Sequence, residues 1–177
     1  MDLLMKDTIA ACATAPGAAG IAVVRMSGSG AEEILRRVFT PRCGAAAMEH
    51  GRLYLGVLHD GEAELDECMA VIMRAPRSYT RQDVAELQLH GSAYAVNACL
   101  NLLFKQGARP AEPGEFTLRA YLNGRLDLSQ AESVMQLIRA NSERAGQSAL
   151  RQLNGGASRF IGEVQAGLLG ILAAVEA

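Results

Sequence analysis

The sequence predicts an α+β chain, and three observations carry that prediction. Short runs of alternating or apolar residues, bounded by glycine, proline and asparagine, fill the first two thirds. From Ser129 onward the apolar residues recur at helical spacing to the last residue. Between the two regimes, Ala108 to Ser133 is punctuated three times. Pro113-Gly114 opens a short helix, since proline suits a first turn and cannot extend a strand. Asn123-Gly124 closes it, as both residues tolerate the left-handed conformation just past a helix end. Ser129 and Glu132 then have the spacing of a capping box. The division is expected near residue 124, giving domains over 1–124 and 125–177.

In order, Thr8 to Thr14 predicts a first strand and Ala15 to Gly20 a turn of small residues. Ile21 to Met26 predicts a second strand with Ile21, Val23 and Arg25 on one face. Arg25 is a lone charge there. It is either a strand-end arginine reaching solvent, since Ser27-Gly28 follows, or a guanidinium aimed at an anionic group. Ser29 to Phe39 predicts a helix capped by Ser29, and Pro41 to Gly51 a loop. Leu53 to Leu58 and Leu65 to Arg74 predict strands joined at His59-Asp60-Gly61, followed by a polar loop from Pro76 to Asp83. Val84 to His90 alternates strictly: Ala85, Leu87 and Leu89 on one face, Val84, Glu86, Gln88 and His90 on the other. The polar row is either an ordinary solvated face or a row aimed at a ligand. A helix carrying Val96, Leu100, Leu103 and Phe104 follows Gly91-Ser92. Gly107 stops it, and Ala108 to Pro110 predicts one more short strand.

Beyond Ser129 one helix of about 25 residues is expected to reach Leu153, with Ala131, Val134, Met135, Ile138, Ala149, Leu150 and Leu153 as its stripe. Asn154-Gly155-Gly156 breaks it, and Ser158 to Ala177 forms a second helix with Phe160, Ile161, Val164, Leu168, Leu169, Leu172 and Val175. The two are expected to make an antiparallel pair. Such a pair buries poorly alone, so the chain reads as part of a larger helical domain.

The formal charge of -2 provides no global field for nucleic acid. Cys12, Cys43, Cys68 and Cys99 form no CxxC, which predicts buried free thiols and no metal. The N-terminus MDLLMKDT is unlike a secretory signal, and no apolar run approaches the roughly 18 residues of a membrane helix. A cytoplasmic protein without a membrane partner is expected. There is no GxxxxGK[ST], no GxGxxG and no HExxH. Ser92, His90 and Asp83 are the raw material of a triad, but no GxSxG supports one. Arg139, Arg144, Arg151 and Arg159 are scattered along the helices and read as solvating them.

PGEFTLRAYLNGRLDLSQAESVMQLI resembles the signature of the MnmE (TrmE) family of tRNA-modification GTPases, PGEFTxRAFLNGKLDLxQAEAV. DTIAACATAPGAAGIAVVRMSG, RLYLGVLHD, APRSYTRQDVAELQLHGS and SALRQLNGGAS match the family in the same order, over residues 7 to about 160. The resemblance implies a mixed-sheet N-terminal domain, similar to the folate domain of the glycine-cleavage aminomethyltransferases, followed by helices. It implies a homodimer through that domain and a bound tetrahydrofolate derivative, 5-formyl- or 5,10-methylene-tetrahydrofolate. The folate would give a one-carbon unit for C5 of the tRNA wobble uridine, with an MnmG-like FAD protein as partner. GTP, K+ and Mg2+ would belong to a G domain outside these residues. Carried over by position, the folate-lining residues are Arg25, Glu86 and Arg125. The family pattern has lysine at 125, glycine at 81, an acid at 82 and glycine at 92, where this chain has Arg125, Arg81, Gln82 and Ser92. Two other readings stand beside it: a free-standing aminomethyltransferase-like protein, and a dimerisation scaffold without ligand.

Overall fold

The computed structural model describes residues 7–44 and 47–176. The leader expectation for residues 1–6, the helix stop at residue 177 and the side chain of Arg159 lie outside the described residues. The elements are β1 (Ile9–Cys12), β2 (Ala19–Ser27), α1 (Ala31–Val38), β3 (Phe39–Pro41), β4 (Leu53–Asp60), β5 (Ala63–Met73), β6 (Val84–Gly91), α2 (Ala93–Lys105), β7 (Arg109–Pro110), α3 (Glu115–Leu122), α4 (Leu128–Ile138), α5 (Glu143–Leu153) and α6 (Gly156–Glu176). They fall into two compact units divided between Arg119 and Ala120.

The first unit is built on a seven-stranded sheet in the order β3-β4-β5-β6-β2-β1-β7. Every pairing is antiparallel except β1 with β7, so the sheet is mixed, as the α+β reading requires. The alternation read in β2 and β6 sorts their residues by face. Ala22, Val24 and Met26 join Ala85, Leu87 and Leu89 in a core completed by Ile34, Leu35 and Val38 of α1 and Cys99, Leu102 and Leu103 of α2. Cys68 and Cys99 lie in that core, whereas Cys12 is only half-buried and Cys43 exposed, so two of the four thiols depart from the expected burial. Burial pushes the Cys68 thiol up to about 12.

Local chemistry moves several expected boundaries. Ser29 does not cap α1; Gly30 holds that position and donates its N–H to Thr8 Oγ1 at 2.9 Å. Phe39 leaves the expected helix to open β3, which pairs with β4. Gly56 of β4 makes that approach fit, since a Cβ there would sit 2.4 Å from the Phe39 ring. Ser92 caps α2, accepting the Ala95 N–H at 3.1 Å.

The second unit corrects the expected long helix. The chain breaks after Ile138, and Ser142 restarts it as the cap of α5, accepting the Ala145 N–H. Asn141 and Ser142 side chains compete with the backbone for helical hydrogen bonds, which is why the break falls there. The antiparallel pair is therefore α4 with α5. Gln130 Nε2 donates to Leu153 O at 2.8 Å, and Gln152 Nε2 to Ser129 Oγ at 3.1 Å, joining the start of α4 to the end of α5. The capping box also shifts by two residues. Asp127 Oδ1 accepts the Gln130 N–H at 2.8 Å and Gln130 Oε1 accepts the Asp127 N–H at 2.9 Å. The buried positions of the pair are small, Ser133 and Ala149, while Met135, Ile138 and Leu150 of the expected stripe are exposed. Phe160, Ile161, Val164, Leu168, Leu169, Leu172 and Val175 of α6 are exposed as well. Among the described residues no helix is long and apolar enough to cross a membrane.

Candidate functional site

β2 and β6 are neighbours, and their register sets Arg25 directly opposite Glu86. Both side chains leave the sheet on the face turned away from α1 and α2. Arg25 Nε donates to Glu86 Oε1 at 2.7 Å, and Nη2 lies 2.7 Å from the same oxygen. The pair is neither dry nor open: the side chains keep 28% and 16% of their exposure. The guanidinium carbon lies 5.5 Å from the centre of the Tyr79 ring and 5.8 Å from that of Phe116, within cation–π range. Tyr79 comes from the loop 76–83 and Phe116 from α3. Their elements are joined by a 3.0 Å hydrogen bond between the Tyr79 hydroxyl and Thr117 Oγ1.

Two of the three sequence-selected residues thus meet, and as an ion pair that single-strand periodicity does not reveal. Arg125 is in the second unit, on the exposed turn between α3 and α4, its N–H donated to Ala120 O. Of the polar row on β6, His90 goes elsewhere. Its Nδ1 meets Asp66 Oδ1 at 2.6 Å and its backbone N–H meets Oδ2 at 2.9 Å. The hydrogen bond to Asp66 and that carboxylate's charge raise the imidazole above its ordinary value. The triad raw material disperses: Ser92 caps α2, His90 pairs with Asp66, and Asp83 accepts the Ala75 N–H. Among the described residues no cluster suits a metal ion.

The charges of the signature stretch form a separate, buried lock. Arg119 is 2% exposed. Its Nη2 meets Asp7 Oδ1 at 2.6 Å and Glu115 Oε1 at 2.9 Å, and its Nη1 donates to Asp7 O and Gln82 Oε1. Arg109 grips both oxygens of Glu115, at 2.8 and 2.6 Å, and adds a bond to Asp7. The bonds from Arg109 outweigh burial and, with the Glu112 N–H and Arg119, hold the Glu115 carboxyl down at about 2. Burial pushes Asp7 up, but the bonds from Arg109 and Arg119 together leave it below the ordinary carboxylate range. Gly28 admits the lock: at φ +140° a Cβ would lie 2.4 Å from Asp7 O. The i,i+4 spacing of Glu115 and Arg119 is the sequence signal that they pair with each other.

The loop carrying Tyr79 is held by Ser27 Oγ against Thr80 Oγ1 at 2.7 Å, with Thr80 fully buried. Arg81 sits at φ +58°, the left-handed region that favours glycine.

A family model described as "GTP-binding protein TrmE N-terminus" matches residues 8–125, and one described as "MnmE helical domain" matches residues 128–177. A protein of Syntrophotalea carbinolica named tRNA modification GTPase MnmE is 49% identical over 99% of this chain and 39% of its own length. Relatives with the same name from Moorella thermoacetica and Synechococcus sp. (strain JA-3-3Ab) are 51% and 50% identical, over 98% and 100% of this chain and 38% and 40% of theirs. The chain spans about two fifths of the length of the curated relatives it matches.

Proposed function

Because the chain belongs to the MnmE (TrmE) family, we propose that its first unit binds a tetrahydrofolate derivative for tRNA modification. The observation that carries this reading is the Arg25–Glu86 pair, flanked by two aromatic rings on the open face of the sheet. A pterin offers a ring N–H and an exocyclic amine side by side, which a carboxylate accepts together. Arg25 engages Glu86 through Oε1, so Oε2 can take a ligand donor. Nε donates to Glu86 and Nη2 lies within ion-pair distance of the same oxygen, which leaves other N–H groups of the five-donor guanidinium for an anionic or carbonyl oxygen. The donor set therefore suits the folate. Arg125 is proposed as a third contact, its planar fork replacing the lysine of the family pattern.

When bound, the folate supplies a one-carbon unit, which we assign to C5 of the tRNA wobble uridine in concert with an MnmG-like FAD protein. The chain's own residues bind and orient: Glu86 fixes the pterin edge, and Arg25 holds that carboxylate and a ligand oxygen. The GTPase activity in the relatives' name is not proposed for these 177 residues, which carry no GxxxxGK[ST].

Calorimetric titration with 5-formyltetrahydrofolate tests the reading. Glu86→Ala should weaken binding by about 2 kcal/mol, since pterin donors would lose their charged partner, and an unchanged dissociation constant would sink the assignment. Self-association is the second part of the proposal. Sedimentation equilibrium should give twice the chain mass, and a monomer at all concentrations would remove it.

A further inference from the structure

We propose that Tyr79 and Phe116 are positioning residues of this site, holding the Arg25 guanidinium where it meets both Glu86 and ligand. This rests on the folate reading of the Arg25–Glu86 pair and assigns roles to two residues beyond it. An arginine side chain has several rotatable bonds, and on a half-open sheet face a single carboxylate restrains it weakly. Here two rings lie close to the guanidinium, at 5.5 and 5.8 Å, each within range of its charge. Both rings are half-buried and neither rides on the sheet that carries Arg25.

Each ring is anchored independently of Arg25. Tyr79 is fixed through its hydroxyl to Thr117, and its loop through Thr80 to Ser27. Phe116 is fixed because its neighbours in α3, Glu115 and Arg119, are locked to Asp7 and Arg109. The rings are thus preorganised, and ligand binding need not order the arginine first.

The test titrates 5-formyltetrahydrofolate into the chain and its variants Tyr79→Leu, Phe116→Leu, Tyr79→Phe and Glu86→Ala. Thermal melts confirm that each variant folds. Each leucine variant should raise Kd about fivefold to tenfold. Tyr79→Phe keeps the ring and loses the hydroxyl bond to Thr117, so it should stay within about threefold. The decisive readout is a double-mutant cycle with Arg25→Ala. If the rings act through Arg25, Tyr79→Leu costs little once Arg25 is gone; full additivity overturns the positioning role. Leucine variants that bind like the parent while Glu86→Ala fails also overturn it and leave the folate site standing. Unchanged binding by Glu86→Ala overturns the site itself, and the positioning role with it.

Discussion

Replacing Glu115 by glutamine removes one charge from the buried lock and changes little of its shape. Glu115 is 7% exposed, takes bonds from Arg109 and Arg119, and accepts the Glu112 N–H. Two routes give the size of the effect. Breaking a buried ion pair from one side costs about 3–5 kcal/mol, and the retained amide oxygen puts glutamine at the low end. Independently, the drop from the ordinary 4.5 to about 2 in the folded state corresponds to about 3 kcal/mol of linked stability. Since the folded value is depressed, this stability is fully present above 4.5 and is lost as pH falls through the window down to about 2. Urea unfolding followed by circular dichroism, at neutral pH and in steps into acid, measures both. The expected result is a gap of about 3 kcal/mol between parent and variant at neutral pH, closing across that window. The reasoning fails if the neutral gap is below about 1 kcal/mol, the worth of an ordinary exposed pair, or if it persists at the acid end.

Arg81→Gly should stabilise the first unit by about 1 kcal/mol by relieving a left-handed residue with a Cβ, and a lower melting temperature would count against it. The His90 imidazole should titrate above its ordinary 6.5 by proton NMR and return toward it in Asp66→Asn. The sign follows: with a raised folded value, the pair's contribution is complete below 6.5 and fades as pH rises through the folded value. A His90 titration insensitive to Asp66→Asn would dismiss the pair.

The elements with a strong period were legible. β6 was read to within a residue, and its two faces are the ones its alternation assigns. The residues of the candidate site were legible one at a time, as polar positions on a strand, but their mutual arrangement was not. Whether Arg25 stands opposite Glu86 or one residue off depends on the register of two strands 61 residues apart in sequence. Tyr79 and Phe116 gave no signal, because an aromatic in a polar loop and another in a short helix both read as ordinary packing. The helical segment was misread for a different reason. Ile138 and Ala149 are in phase three turns apart, but the stripe positions between them, Asn141 and Ser142, are polar, and the break falls there with Ser142 as the cap of the next helix.

One short helix of the signature stretch does two jobs on different faces. Positions 115 and 119 are one turn apart and enter the buried lock with Asp7 and Arg109. Position 116 lies about a hundred degrees round the helix from 115 and position 117 about two hundred, and they meet Arg25 and Tyr79 instead. A rigid helix couples the two. Any change that loosens the lock lets α3 shift, and Phe116 moves with it. On this argument Glu115→Gln should weaken folate binding even though Glu115 touches neither Arg25 nor Glu86. The loss should track the loss of stability as acid neutralises the lock, which a direct ligand contact by Glu115 would not require.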